Sequence, residues 1–252
     1  MGKRKGKDRT GGRNADGSVS QGVEAGDPRE RKLRELAAGV VWDGDRRGPG
    51  ALALAVEDLV PEQRGFVVVI RNFFTPKECQ QLRAIVEQVG LNPASAADLR
   101  PRKNEAFLNR ESLACPCEVL YDKLYSRLEP LAVPVAGRRI CGLTPRLRYY
   151  KYSRGHRFDA HVDVSSKGEM PGWETEYTLL LYLNGKGGAE GLVGGDTIFY
   201  ATKKRELCRV APEEGMVLLH ANGQRCLLHA GDLVTRGAKY MLRCDVMHRP
   251  DT

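Results

Sequence analysis

The chain has 252 residues, 41% of them hydrophobic, and a formal net charge of +8. That length bounds it to one domain, or one domain with a tail, and is enough to bury a core. It holds no apolar run long enough for a helical membrane span, its charged start is followed by no apolar segment of a secretory leader, and its seven scattered cysteines fit free thiols in a reducing compartment. The expectation is a protein with no membrane partner, intracellular in the cytoplasm or nucleus and not secreted.

The charge is uneven. Residues 1–13 hold Lys3, Arg4, Lys5, Lys7, Arg9 and Arg13 against Asp8 alone, which is +6 − 1 = +5 of the +8. Such a tail fits contact with nucleic acid or an import signal; the plainer reading is a solvated, disordered tail without a partner. Gly, Ser and charged residues continue to about residue 28. A short amphipathic helix follows over Pro28 to Ala38, and Gly44 to Gly50 reads as a linker. This divides the chain into a basic tail and linker over residues 1–50 and a folded domain over 51–252.

Within the domain, Gly65 to Asn72 is a continuous apolar run of strand length. Thr75 then suits a helix N-cap, Pro76 the first helical position, and Glu78 the third position of a capping box. Cys79, Leu82, Ile85, Val86 and Val89 follow at helical spacing, and Gly90 ends the run. A second helix is expected from Ser112 to Leu131. Between them Asn92 to Arg110 is polar and long for a loop, a feature common in functional loops. The pair Cys115-Pro116-Cys117 has no second Cys/His pair near it and reads as a loop beside a helix rather than a zinc site. After Pro145 the texture changes. Short apolar segments at Leu147–Tyr152, Tyr177–Leu183, Asp196–Tyr200, Met216–Leu219, Arg225–Leu228 and Lys239–Met247 alternate with Gly-rich turns, the pattern of an antiparallel sandwich or barrel.

The chemistry-bearing residues lie in this second half. His161-Val162-Asp163 follows a predicted strand, and in an extended chain side chains two apart share a face. The imidazole and the carboxylate can therefore reach one metal ion together. His229 is the leading third ligand; His220 is a rival, and His248 reads as a surface residue near the chain end. Two histidines and a carboxylate on one face of an octahedron leave three positions open, the donor set of non-haem Fe(II) oxygenases.

Four motifs in order resemble the prolyl 4-hydroxylase-like branch of the Fe(II)/2-oxoglutarate-dependent dioxygenases. Tyr152, Gly155, Phe158, His161 and Asp163 stand at the fixed positions of Y-x-x-G-x-x-[YF]-x-x-H-x-D. Tyr182-Leu183-Asn184 ends a segment similar to the next core strand. Gly194-Gly195-Asp196-Thr197-Ile198-Phe199 resembles G-G-x-T-x-F, and His229 to Lys239 is similar to H-x-G-x-x-V-x-x-G-x-K. The helix start at Phe73 to Cys79 also resembles the family's N-terminal segment, whereas Arg102 to Arg110 matches its substrate-side loop only loosely.

The resemblance implies a mainly β fold with N-terminal helices: a double-stranded β-helix, or jelly roll, flanked by helices. It implies Fe(II) on His161, Asp163 and His229, with 2-oxoglutarate and O2 as co-substrates and ascorbate as a further cofactor. Lys239 stands where the family holds the distal carboxylate of 2-oxoglutarate, with Arg243 second because it shares the strand parity. Tyr152 is either a co-substrate contact or a packed aromatic. The implied activity is hydroxylation of a C–H bond in a protein or peptide substrate, with proline first. Oxidative dealkylation of nucleic acid and a non-catalytic jelly-roll binding module are the alternatives.

Overall fold

The computed structural model describes residues 27–43, 53–103, 105–131, 138–168, 171–188 and 191–250. The basic tail and the Gly44–Gly50 linker lie outside the described residues. In chain order the elements are α1 (Pro28–Ala38), β1 (Ala55–Asp58), β2 (Val67–Arg71), α2 (Pro76–Val89), α3 (Ala96–Leu99), β3 (Leu108–Asn109), β4 (Glu111–Pro116) and α4 (Glu118–Leu128). There follow β5 (Arg138–Leu143), β6 (Arg146–Ser153), β7 (Arg157–His161), β8 (Glu174–Tyr182), β9 (Val193–Gly194), β10 (Thr197–Thr202), β11 (Arg205–Val210), β12 (Val217–Ala221), β13 (Leu228–Gly231), β14 (Val234–Arg236) and β15 (Ala238–Pro250).

The strands form two main antiparallel sheets. The larger runs β1-β2-β12-β8-β15-β6-β4, with β5 also on β15; the smaller runs β11-β10-β13-β7-β3. This is the expected jelly roll with helices against it. Side chains alternate across a strand, so each strand of the large sheet serves two cores. Val68 and Ile70, Leu179 and Leu181, Leu242 and Cys244 face the helices, where they pack with Leu82, Val86, Leu120 and Leu124. Val67 and Val69, Leu180 and Tyr182, and Met241 face the small sheet, against Phe199 and Val210. Burial on both faces explains why β2 reads as an unbroken apolar run.

The capping box at α2 is present: Thr75 Oγ1 accepts from the Glu78 amide at 3.2 Å, and the Glu78 carboxylate accepts from the Thr75 amide at 2.9 Å. Glu78 is fully buried and its other oxygen takes Arg127 of α4 at 2.7 Å, tying the two helices together. The helix at Pro28–Ala38 forms with the expected bounds, and it also packs: Leu33 and Ala37 are buried in the helix-side core. The packed structure thus includes residues ahead of position 51, because Leu33, Ala37 and Val40 bury in that core and Leu36 and Trp42 pack against it.

Other expectations shift. Residues 112–116, placed in the second helix from sequence, belong to strand β4 instead, with Leu113 and Cys115 buried and their neighbours half-buried. The period there is 2, Pro116 disfavours a helical residue before it, and β6 offers an open edge that pairs from Glu111↔Lys151 to Pro116↔Arg146. Only from Glu118 does helix α4 run. The long polar loop holds α3, closed by a second capping box at Ser95 and Asp98, and β3. The segment expected as a strand over Arg225–Leu228 opens with a tight turn at Gly223–Arg225, and the strand lies over Leu228–Gly231. His248 is fully buried rather than at the surface, since β15 continues past it and pairs His248 with Ile140 of β5.

Candidate active site

Register places the site. Strands β7 and β13 pair with His161 directly opposite His229, and β10 pairs Phe199 with His229. On the facing sheet, β8 pairs Thr178 with both His220 of β12 and Asp245 of β15. Asp163 leaves β7 toward the gap between the sheets and is pinned by main-chain contacts: its carbonyl accepts from the Gly223 amide at 2.9 Å, and its amide donates to Cys226 Sγ at 3.2 Å. All six residues singled out from sequence, His161, Asp163, His229, Lys239, Arg243 and Tyr152, line one cavity between the sheets.

At one end three imidazoles surround a carboxylate. His161 Nε2 is 3.6 Å, His220 Nε2 3.7 Å and His229 Nε2 3.9 Å from the Asp163 carboxylate oxygens. His161 Nδ1 stands 2.9 Å from the Asp159 carbonyl and His229 Nδ1 2.9 Å from the Leu227 carbonyl. A carbonyl only accepts, so each Nδ1 carries the proton and each Nε2 presents its lone pair inward, the orientation a metal ligand needs. Burial together with the neighbouring His220 and His161 drives His229 well below the ordinary histidine range, so its ring is neutral. Burial alone would raise the Asp163 carboxyl. The adjoining His161 and the Arg243 guanidinium, with His220 and His229 nearby, outweigh it and hold Asp163 far below the usual carboxylate range. One carboxylate oxygen and two imidazole nitrogens, all within 4.8 Å of one another, suit a divalent cation.

Arg243 belongs to this end. Its guanidinium is 3.1 Å from Asp163 Oδ2 and 3.2 Å from Asp245 Oδ1, and Thr178 Oγ1 donates to Asp163 Oδ2 at 2.8 Å. Lys239 lies elsewhere. It is 2% exposed, Nζ donates to the Gly195 carbonyl at 2.7 Å, and the ammonium sits 4.8 Å from the Tyr152 ring centre. Among the described residues no carboxylate reaches it within ion-pair distance. Burial lowers its pKa to about 8, against the pull of Asp196 and Asp232. The Gly194-Gly195 turn makes this packing possible. Both residues have positive φ, and a Cβ on Gly194 would lie 2.0 Å from the Leu233 carbonyl oxygen.

Residues 147–244 match the model of the 2OG-Fe(II) oxygenase superfamily. Over that segment the chain is similar to the superfamily. No curated protein matches the sequence. Among solved structures, the collagen prolyl hydroxylase of Paramecium bursaria Chlorella virus-1, in complex with 2-oxoglutarate, is 18% identical, covers 73% of this chain and 96% of its own, and has a TM-score of 0.51. A Trichoplax adhaerens prolyl hydroxylase, solved with a hypoxia-inducible-factor peptide fragment, is 16% identical, covers 86% and 90%, and has a TM-score of 0.55. A 2OG-Fe(II) oxygenase family oxidoreductase of Burkholderia pseudomallei is 12% identical, covers 75% and 88%, and has a TM-score of 0.51. At these identities the likeness is one of fold, the jelly roll that the prolyl hydroxylases share.

The cavity also contains residues that sequence reading passed over. Arg110, just past β3, lies over the Tyr150 ring at 3.6 Å and donates to the Tyr152 hydroxyl at 3.1 Å. Thr197 accepts from or donates to the Tyr182 hydroxyl at 2.8 Å in the same cavity. Thr178 and Cys226 hold Asp163. Period-2 counting along β8 puts Thr178 on the inner face with Leu180, so that contact was readable in principle; Arg110 and Cys226 arrive through irregular segments and were not.

Proposed function

We propose that the chain is an Fe(II)- and 2-oxoglutarate-dependent hydroxylase of protein side chains, with proline the first candidate. In this reading iron sits on His161, Asp163 and His229, and Lys239 holds the distal carboxylate of 2-oxoglutarate. The observation that carries it is the contrast between the two cations in the cavity. Arg243 is matched by Asp163 and Asp245, whereas Lys239 is buried with no carboxylate in reach. An unmatched buried charge is costly unless a ligand supplies the counter-charge. An anion entering between the sheets would find the lysine at one end and the inward-facing Nε2 donors at the other.

When bound, iron with 2-oxoglutarate and O2 supplies the oxidising power that turns a C–H bond into C–OH, leaving succinate and CO2. The chain's own residues bind, orient and exclude water. Asp159 and Leu227 fix the His161 and His229 tautomers. Thr178 and Arg243 fix the Asp163 carboxylate and keep it anionic. Phe158, Phe199, Leu180 and Met241 give the cavity its apolar walls. A protein substrate is supported by the shared fold with a prolyl hydroxylase that was solved with a peptide fragment. The test is to incubate purified chain with Fe(II), 2-oxoglutarate and either proline-containing peptides or alkylated oligonucleotides. The expected result is succinate formation coupled to gain of one oxygen on a prolyl residue. Turnover with oligonucleotides alone would replace the substrate class, and no turnover of 2-oxoglutarate with any substrate would favour a binding module.

A further inference from the structure

The oxygenase reading leaves two donors at the site unused. His220 is 1% exposed, and its Nε2 has no hydrogen-bond partner among the described residues. Cys226 is half-buried beside the same cluster, with Sγ 3.8 Å from His229 Nδ1 and facing the Asp163 amide at 3.2 Å. A ligand atom from each of His220, Cys226 and His229 lies within 4.8 Å of the other two. Donors on a tetrahedral zinc with bonds of about 2.0–2.3 Å stand roughly 3.3–3.8 Å apart, so closure needs side-chain movement of about 1 Å.

From this geometry we infer a second metal site, His220–Cys226–His229, that takes zinc or another thiolate-seeking cation and excludes the metal of the His161–Asp163–His229 set. Exclusion follows from the shared residue. A neutral imidazole has one lone pair, so His229 serves one set at a time. Selectivity follows from the donors: two imidazoles and a thiolate suit Zn2+, whereas two imidazoles and a carboxylate with open positions suit Fe2+ or Mn2+. A cysteine is ordinarily a thiol near neutrality. Zinc binding must therefore form a Zn–S bond, break the S–H bond and release that proton to solvent. No electron moves, and no co-reactant beyond the metal is required. That zinc bound here would silence hydroxylation rests on the proposed function; the existence of the site does not.

The experiment titrates the full chain with Co2+, Zn2+ and Mn2+ and reads spectra and proton release, not turnover. The expected result is thiolate-to-cobalt charge-transfer absorption in the wild-type chain, lost in Cys226→Ala and displaced by Zn2+, with about one proton released per zinc. Cys226→Ala and His220→Phe should each weaken Zn2+ binding by about 100-fold or more, a larger loss than either causes for Mn2+. A cobalt spectrum without the charge-transfer band, or a band that survives Cys226→Ala, would overturn the site. So would equal zinc affinity in the wild type and both variants, which would put zinc on the His161–Asp163–His229 set. If a variant binds neither Zn2+ nor Mn2+, the wild-type cobalt spectrum and proton count decide alone.

Discussion

The two ends of the cavity handle charge in opposite ways. At the Asp163 end every ionised group has a partner: Asp163 with Arg243 and Thr178, Arg243 with Asp245, and Arg148 with Asp245 at 3.1 Å. At the Lys239 end a buried ammonium has, among the described residues, only the Gly195 carbonyl and the Tyr152 ring. Both cations come from β15, four residues apart on one face, so parity does not separate them, and the sequence ranks Lys239 first only through the motif resemblance. What separates them is what the neighbouring strand brings. Opposite Arg243, β8 contributes Thr178 two residues along the strand, and β15 itself adds Asp245; opposite Lys239, β6 contributes Tyr152. A matched charge builds the site, and an unmatched one is left for a ligand.

The harshest way to break the matched end is to remove a donor. His161→Ala or His229→Ala should abolish 2-oxoglutarate consumption and leave circular dichroism near wild type, because each removes one of three ligands from an otherwise intact cavity. Full activity in either purified variant would sink the ligand set.

At the unmatched end, pH is the gentler probe. If Lys239 holds the distal carboxylate as proposed, binding requires the charged lysine, and Lys239 in the ligand-free protein carries its charge below about 8. The apparent KM for 2-oxoglutarate should therefore be flat below that pH and rise toward tenfold per unit above it. A flat profile to pH 9.5 would mean that Lys239 does not hold the anion.

The same charge has a stability signature. The folded-state pKa of Lys239 is lowered from 10.5 to about 8. Between those values the unfolded chain binds more protons, so stability rises with pH across that window and the burdened state lies below it. Lys239→Met should raise the unfolding free energy at pH 7 by about 1–3 kcal/mol, with the advantage shrinking as pH climbs from 8 to 10.5. Denaturant unfolding at pH 7 and pH 10 measures both. Far from the cavity, Thr75→Ala should cost only about 1 kcal/mol through the lost α2 cap and leave the pH profile of KM untouched.

Much of this was legible in the residues. The capping box at Thr75 and Glu78, the both-face burial of β2 and the inward parity of Lys239 and Arg243 follow from local spacing, and local spacing survived folding. His161 and Asp163 were found because an extended chain puts them on one face. What failed was whatever depends on a partner strand. Residues 112–116 look helical until the edge of β6 is there to pair with them, and His248 looks terminal until β5, unread in the sequence, covers it. His220 illustrates the same limit at the site itself. Its distance in sequence from His229 says nothing of the β12–β8 register that sets it 3.7 Å from Asp163.

The division of labour between Lys239 and Arg243 is tested most directly by measuring two affinities, for Mn2+ and for 2-oxoglutarate in the Mn2+-loaded protein, in Lys239→Ala and Arg243→Ala. Loss of one partner from a buried charge pair costs about 3–5 kcal/mol, roughly two to three orders of magnitude in affinity at about 1.4 kcal/mol per tenfold. Lys239→Ala should lose 2-oxoglutarate by about that factor with Mn2+ affinity unchanged, whereas Arg243→Ala should weaken Mn2+ by freeing Asp163. If Arg243→Ala instead loses 2-oxoglutarate at unchanged Mn2+ affinity while Lys239→Ala keeps both, Arg243 is the anchor and the contrast drawn between the two ends is wrong.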